Sequence, residues 1–171
     1  MTSRTLVLGG ARSGKSAHAE GLAGDVVTYV ATARRDPSDA EWQARIAAHV
    51  ARRPAAWSTV ETTDLPEILG KVPETVLVDD LATWLTGVLD DTGGWDGPVD
   101  GARARCDELV EAVARRHWPL VLVSAEVGLG VVPATRSGRL FRDELGSLNA
   151  RLAQVCDEVL LLVAGLPLRL K

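Results

Sequence analysis

The chain has 171 residues and a mass of 18.2 kDa, and 46% of its residues are hydrophobic and 25% are charged. These values are typical of a globular chain with a core of its own, so we expect residues 1–171 to form a single domain. The net charge of −4 argues against binding of nucleic acid through bulk electrostatics, and no apolar run approaches the roughly 18 residues of a membrane span.

The first predicted elements are a strand at Thr5–Leu8, a glycine-rich loop and a helix at Ser16–Ala23. The loop matches the phosphate-binding pattern G-x-x-x-x-G-K-[ST] at every fixed position and lies between strand and helix, as the motif requires. Its backbone N–H groups turn toward phosphate oxygens, while the lysine reaches the β- and γ-phosphates and the serine holds Mg²⁺. The predicted phosphate-binding residues are Gly9, Gly10, Ala11, Arg12, Ser13, Gly14, Lys15 and Ser16.

The next segment contains two predicted strands and two predicted helices. An apolar run predicts a strand at Val26–Ala31, and Trp57–Glu61 has the pattern of an edge strand. A helix is predicted at Ser38–Arg52, with its first residue as N-cap and a proline directly after Arg53 to end it. A short helix is predicted at Asp64–Leu69.

The apolar run Thr75–Val78 predicts a third strand, which is followed by the carboxylates of Asp79 and Asp80. A carboxylate at the end of such a strand is typical of the element that holds Mg²⁺ in phosphate-loop proteins. Asp79 is the better metal ligand because it lies directly at the strand end, where ligands gather on an open parallel sheet. Asp80 is the better N-cap for a helix predicted at Leu81–Leu89.

The last part of the chain completes an alternation of strands and helices. The segment Asp90–Pro98 is rich in glycine and aspartate and predicts a mobile or variable loop. After it we expect, in order, a helix at Val99–His117, a strand at Leu120–Ser124, a helix at Arg136–Cys156 and a strand at Glu158–Ala164. This pattern predicts an α/β fold of three layers like that of P-loop NTPases, with a mostly parallel central sheet between helices.

The chain has three histidines, His18, His49 and His117. His49 lies at helical spacing from Trp42 and Ile46, which favours a partly buried residue beside an apolar stripe. From spacing alone, a structural role for His49 is therefore preferred over a chemical one.

Several further segments carry a resemblance that spans nearly the whole chain. The phosphate loop is followed by His18-Ala19-Glu20, and later come Tyr29–Thr32 and Arg45–His49. The most specific segment is Glu126–Pro133, with the sequence Glu-Val-Gly-Leu-Gly-Val-Val-Pro. With these motifs the chain resembles the bifunctional adenosylcobinamide kinase/adenosylcobinamide-phosphate guanylyltransferase family of cobalamin synthesis.

The resemblance implies a catalytic role for His49 and two transfer reactions. The family's histidine attacks the α-phosphate of GTP, forms a covalent histidine–GMP intermediate and releases pyrophosphate. Adenosylcobinamide phosphate then takes the GMP and becomes adenosylcobinamide-GDP. Neutral imidazole is a good nucleophile near pH 7, and Lys15, Mg²⁺ and the loop amides would stabilise charge on the pyrophosphate. GTP, ATP or both serve as co-substrates, and the kinase step phosphorylates adenosylcobinamide.

The resemblance also implies further nucleotide contacts and a homotrimer. Glu61 resembles a carboxylate that reads guanine, because a carboxylate accepts from the ring N–H and the exocyclic amine together. The alternative is a charge at the rim of an edge strand. The remaining implied contacts are Ala31, Thr32, Ala33, Val50, Ala51, Arg52 and Arg53.

Two other functions stay open at the level of sequence. One is a small-molecule kinase of other specificity, in which His49 is structural. The other is a nucleotide-binding switch without transfer chemistry. Transfer of label from the α-phosphate of GTP to the protein distinguishes the enzyme of two reactions from both alternatives.

The two cysteines, Cys106 and Cys156, are far apart and match no metal-binding spacing. We expect both to be reduced thiols that pack as small apolar side chains. The N-terminus has neither the apolar segment nor the cleavage site of a secretory signal, because the first strand leads directly into the phosphate loop. The sequence therefore predicts a cytoplasmic protein.

Overall fold

The computed structural model describes residues 3–34, 47, 50–51 and 53–171. In these residues the strands and helices follow one another in chain order. They are β1 (Arg4–Gly9), α1 (Lys15–Ala23), β2 (Val27–Ala31), β3 (Ser58–Glu61), α2 (Leu65–Lys71), β4 (Thr75–Asp79), α3 (Leu81–Thr92), α4 (Asp100–Arg115), β5 (Leu120–Ala125), α5 (Arg136–Val155), β6 (Glu158–Val163) and β7 (Leu166–Arg169).

The strands form one seven-stranded sheet in the order β3-β2-β4-β5-β1-β6-β7. All neighbouring pairs are parallel except β6 and β7, which are antiparallel. The carboxyl ends of the parallel strands therefore meet at one edge, where Gly9 is paired with Ala125 and Ala31 with Asp79. The loops that follow these residues share that edge, which is where open parallel sheets bind ligands.

The sheet is covered on both faces because successive strand residues point to opposite sides. In β1, Val7 packs in one apolar cluster with Ala19 and Ala23 of α1. Its neighbours Leu6 and Leu8 pack in the other cluster, which contains the buried apolar side chains of α2, α3, α4 and α5. The predicted α/β fold of three layers with a mostly parallel sheet is confirmed.

The described elements follow the predicted ones to within a few residues, with two differences. Residues Asp90–Pro98 were expected to form a loop, but α3 continues to Thr92 and ends at Gly93. Gly93 has φ 66° and donates its N–H to the last helical carbonyls, a left-handed end that glycine adopts without strain. The second difference is β7, a short edge strand that the sequence analysis missed.

The predicted helix Ser38–Arg52 lies mostly outside the described residues, as does its predicted N-cap Ser38. Its described members Ala47, Val50 and Ala51 have helical backbone. Within the described parts of the chain, no helix combines the length and the apolar character needed to cross a membrane.

Candidate functional site

The phosphate loop connects β1 to α1 at the carboxyl edge of the sheet. Gly14 takes the left-handed conformation with φ 88° and directly precedes α1. A Cβ atom at Gly9 would lie 2.3 Å from Ser13 Oγ and 3.2 Å from the Leu162 carbonyl oxygen, so a side chain there would displace its neighbours. The two glycines thus permit the tight turn that directs the amides of the loop and of the first helical turn toward a phosphate.

Lys15 lies where the motif requires a cation. Its Nζ donates to the Gly10 carbonyl at 3.3 Å, so the side chain folds back across the loop rather than extending into solvent. The ammonium is thereby held above the loop that the sequence predicts to bind the β- and γ-phosphates. In this position Lys15 can transfer its hydrogen bond from the loop carbonyl to a phosphate oxygen.

Neighbouring elements brace the loop from two sides. Gly165, in the turn between β6 and β7, donates its N–H to the Ser13 carbonyl at 2.9 Å. Glu126, directly after β5, donates its N–H to the Gly9 carbonyl at 3.0 Å. Both contacts come from segments more than 100 residues away in the chain. Neither was predicted, because the sequence contains no local signal for a backbone contact of this kind.

Ser16 and Asp79 come together as predicted for a metal site. The Ser16 hydroxyl donates to Asp79 Oδ1 at 3.3 Å, joining the first turn of α1 to the end of β4. A hydroxyl beside a carboxylate provides hard oxygen ligands, which fit Mg²⁺ when nucleotide phosphates and water supply the rest of its shell. Within the described part of the chain, these two side chains could therefore hold the metal.

The second oxygen of Asp79 has a partner that the sequence analysis did not assign to the site. The Tyr29 hydroxyl donates to Asp79 Oδ2 at 2.8 Å. Burial, with the Asp79 charge as a second cause, raises the pKa of Tyr29 far above its usual value, so the phenol is a neutral donor. A signal was available, because a buried tyrosine inside an apolar strand generally requires a partner for its hydroxyl.

Asp80 has the structural role that was predicted for it. Its carboxylate accepts from the Thr83 N–H at 2.7 Å and caps α3. Its backbone exchanges two hydrogen bonds with the Thr32 hydroxyl, which donates to the Asp80 carbonyl at 2.7 Å and accepts from its N–H at 3.1 Å. Thr32, predicted as a nucleotide contact, thus joins the end of β2 to the end of β4.

A cavity of about 410 Å³ opens beyond β2 and β3. Four predicted nucleotide-binding residues, Ala31, Thr32, Ala33 and Glu61, line it together with Arg34, Thr62 and Thr63. Arg34 is fixed at its rim by an ion pair with Asp91 and by a hydrogen bond of 3.2 Å to the Gly87 carbonyl. The cavity and the phosphate loop share the carboxyl edge of the sheet, since both follow the ends of parallel strands.

Arg53 lies against the face of Tyr29, with its guanidinium carbon 3.3 Å from the ring centroid. Its Nη1 also donates to the Thr59 hydroxyl at 3.0 Å. Val50 and Ala51 are exposed. The predicted catalytic residue His49 and the predicted nucleotide contact Arg52 lie outside the described residues.

The comparisons with known proteins cover almost the entire chain. A family profile described as "Cobinamide kinase / cobinamide phosphate guanyltransferase" matches residues 5–170. The bifunctional adenosylcobalamin biosynthesis protein CobP of Pseudomonas aeruginosa is 43% identical over 98% of this chain and 97% of its own length. The bifunctional adenosylcobalamin biosynthesis protein CobU of Escherichia coli K12 is 41% identical over 97% of this chain and 98% of its own length.

A third curated relative and one solved structure are also similar to this chain. The protein CobU of Salmonella typhimurium, also described as bifunctional in adenosylcobalamin biosynthesis, is 40% identical over 97% of this chain and 98% of its own. A solved protein of Pyrococcus horikoshii OT3 matches 99% of this chain and 86% of its own, with a TM-score of 0.52 and 11% identity. At that identity the solved structure supports the fold alone.

Proposed function

The chain belongs to the cobinamide kinase / cobinamide phosphate guanyltransferase family, and we propose that one phosphate loop serves both of its reactions. It is a bifunctional enzyme of cobalamin (vitamin B12) biosynthesis. The observation that carries the proposed site is the contact of Ser16 with Asp79 at 3.3 Å, beside a lysine that folds over the loop. Charge stabilisation at a triphosphate requires this combination of cation, hydroxyl and carboxylate.

In the kinase reaction, a hydroxyl of adenosylcobinamide attacks the γ-phosphate of ATP or GTP. The new P–O bond forms as the bond between the γ-phosphorus and the β-phosphate oxygen breaks, the hydroxyl proton passes to solvent, and the nucleoside diphosphate leaves. Lys15 and the loop amides bind the phosphate oxygens on which charge is redistributed. Mg²⁺, held through Ser16 and Asp79, would neutralise phosphate charge when bound.

In the guanylyltransferase reaction, His49 attacks the α-phosphate of GTP, a P–N bond forms and pyrophosphate leaves. The phosphate of adenosylcobinamide phosphate then attacks the same phosphorus. The P–N bond breaks, His49 is released and adenosylcobinamide-GDP forms. Imidazole is suited to both steps because it is nucleophilic near pH 7 and a phosphoramidate is reactive enough to pass the nucleotide on.

We propose that guanine binds in the cavity at the ends of β2 and β3, with Glu61 accepting from its N–H groups. The cavity is lined by four residues that were assigned to nucleotide binding from the sequence. Val50, Ala51, Arg52 and Arg53 complete this part of the proposed site. Arg53, packed on Tyr29, supports the assignment because it brings a positive charge to the segment that follows His49.

We also propose a cytoplasmic homotrimer. The edge strand β7 supports an interface between copies, since Leu166 is 72% and Leu168 is 55% exposed there. The free cysteines Cys106 and Cys156 support a reducing compartment. Sedimentation analysis of the purified protein tests the trimer, and a monomer at micromolar concentration would contradict it.

Covalent labelling tests the guanylyltransferase proposal directly. The protein is incubated with Mg²⁺ and GTP labelled at the α-phosphate, denatured and examined for bound label. We expect label that is lost in acid and stable in alkali, as a phosphoramidate is. His49→Ala should take up none, and the control variant His117→Ala should label as the wild type does. Equal labelling of His49→Ala, or an unlabelled wild type, contradicts the mechanism.

The same variants distinguish the alternative functions. A kinase of other specificity, with a structural His49, would transfer the γ-phosphate without any covalent adduct. A nucleotide switch would show neither an adduct nor turnover that depends on an acceptor. Production of adenosylcobinamide phosphate by His49→Ala, without adenosylcobinamide-GDP, is the result expected for the enzyme of two reactions.

A further inference from the structure

Tyr29 is a polar residue in the middle of a buried strand. It is 3% exposed and pairs in register with Leu77 of β4, two residues before Asp79. Its neighbours in the same apolar cluster include Val27 and Leu77. The phosphate-loop motif itself does not require a tyrosine at this position, so its presence needs a separate explanation.

The hydroxyl of Tyr29 is one of two described side-chain donors to the Asp79 carboxylate, and each donor contacts a different oxygen. Ser16 donates to Oδ1 at 3.3 Å, and Tyr29 donates to Oδ2 at 2.8 Å. A carboxylate that is bonded at both oxygens loses the freedom to rotate about its terminal torsion. Hydrogen bonds of this kind orient a metal-binding carboxylate and are a recognised determinant of metal affinity.

The ring of Tyr29 makes a second and different contact. Arg53 places its guanidinium carbon 3.3 Å from the ring centroid, a cation–π geometry, and Trp57 stacks beside the ring at 6.4 Å between centroids. Trp57 is fixed in turn by a hydrogen bond of 3.1 Å from Nε1 to the Gly24 carbonyl. The ring therefore provides a rigid support for Arg53.

We propose that Tyr29 is a positioning residue that serves both halves of the site: its hydroxyl orients Asp79 for the metal, and its ring holds Arg53 for the guanine nucleotide. The inference rests on the proposed function, because it takes Asp79 and Arg53 as parts of the nucleotide site. It goes beyond that function by assigning one residue to two separable tasks. Removal of the hydroxyl alone should affect one task and leave the other.

The test uses Tyr29→Phe, which removes the hydroxyl and keeps the ring. Thr28→Val is a matched control, because Thr28 lies on the same strand, is 3% exposed and donates to a carboxylate oxygen of Glu74 at the same 2.8 Å. Binding of GDP is measured by calorimetry in the presence of Mg²⁺ and again in EDTA, together with the thermal midpoint of each variant.

For Tyr29→Phe we expect GDP binding in Mg²⁺ to weaken about tenfold, with binding in EDTA unchanged within a factor of about two. Thr28→Val should bind as the wild type does under both conditions. The proposal is overturned if Tyr29→Phe binds normally in Mg²⁺, or if it loses the same factor with and without metal, since that result indicates general loss of structure.

Arg53→Met tests the second task without disturbing the strand. We expect weaker GDP binding in EDTA, about fivefold, and an unchanged ratio between affinities with and without Mg²⁺. Unchanged binding in EDTA would overturn the assignment of Arg53 to the nucleotide, and with it the second task of the Tyr29 ring. A wild type that shows no effect of Mg²⁺ on GDP binding and no GMP adduct contradicts the proposed function itself, and this inference with it. A wild type whose GDP binding depends on Mg²⁺ and which forms the GMP adduct, together with a Tyr29→Phe variant that binds GDP as the wild type does, contradicts this inference alone.

Discussion

Ser124 donates its hydroxyl to Asn149 Oδ1 at 2.6 Å, and both side chains are buried. The amide of Asn149 donates in turn to the Ala125 carbonyl at 3.0 Å. Through this pair α5 is joined to the carboxyl end of β5, where Ala125 lies beside Gly9 at the start of the phosphate loop. The position of the loop therefore depends on a polar contact inside the apolar core.

The first prediction concerns this contact. Asn149→Leu removes both hydrogen bonds and leaves the Ser124 hydroxyl buried without its partner, so the free energy of unfolding should fall by about 2 kcal/mol. Urea denaturation provides the measurement. Ser147→Ala, an exposed substitution on the same helix, should change stability by less than about 0.5 kcal/mol. Equal stability of Asn149→Leu and wild type would contradict the role of the pair.

The second prediction separates the two adjacent aspartates. Asp79→Asn should lower turnover in both reactions about 100-fold, because the proposed metal ligand loses its charge. Asp80→Asn is the matched control, since asparagine caps a helix about as well as aspartate. Steady-state rates at several Mg²⁺ concentrations measure the difference. A larger loss of turnover in Asp80→Asn than in Asp79→Asn would indicate that Asp80 is the metal ligand.

The third prediction concerns recognition of guanine. Glu61→Gln keeps the shape of the side chain but removes the charged acceptor, so GTP binding should weaken by about 1.5–3 kcal/mol, or about 10- to 150-fold. Labelling from GTP should fall accordingly, while the kinase reaction with ATP should be little changed. Glu67→Gln on α2 controls for the loss of one negative charge. Unaltered GTP affinity would indicate that Glu61 is a charge at the rim.

The fourth prediction is a dependence of stability on acid. Arg4 holds Asp157 by side-chain and backbone hydrogen bonds, which lower the pKa of Asp157 to about 2. A carboxylate with a lowered pKa stabilises the fold above its unfolded pKa near 4 and ceases to do so as pH falls toward 2. The pair is partly exposed, so its contribution is about 1 kcal/mol.

Asp157→Asn should therefore lose about 1 kcal/mol at pH 7 and progressively less between pH 4 and pH 2. Urea denaturation across this range measures the difference from wild type. Asp25→Asn, an exposed substitution before β2, serves as control. A difference that stays constant over the whole pH range would show that the ion pair is not its cause.

The fifth prediction concerns the two thiols. Burial raises the pKa of Cys106 to about 11 and that of Cys156 to about 12, so both are protonated at pH 8. Neither should react with a thiol reagent until the protein unfolds. Because the unfolded thiols titrate near pH 8.5, stability should decline as pH rises above that value. Rapid reaction of the native protein at pH 8 would contradict the burial.

The elements of the fold were largely predictable because each has a clear local cause. The apolar runs of β1, β4 and β5 can be buried on two faces only in a parallel sheet with helices on both sides. Asp80 was predicted as a helix cap from its position after a strand, and the structure confirms it. The short strand β7 was missed, because it contains Pro167 and all four of its residues are exposed.

The candidate site was predictable where a motif specifies it. Ser16 and Asp79 were placed together from the phosphate-loop pattern and from the end of a strand, and they meet in the structure. The spacing of residues in the sequence could not assign Tyr29 to the site. Its contact with Asp79 depends on the pairing of β2 with β4 and joins residues 50 positions apart. His49 lies outside the described residues and stays a prediction.

The hydrogen bond from Gly165 to Ser13 makes amide exchange at Gly165 a measure of the state of the phosphate loop. The Gly165 amide is bonded to a loop carbonyl, although it belongs to the last turn of the chain. Its exchange with solvent deuterium can proceed only when that contact opens. A ligand that closes the loop would slow exchange of the Gly165 amide, although Gly165 is distant in sequence from the loop. Binding of an unlabelled nucleotide could therefore be followed by hydrogen exchange at Gly165.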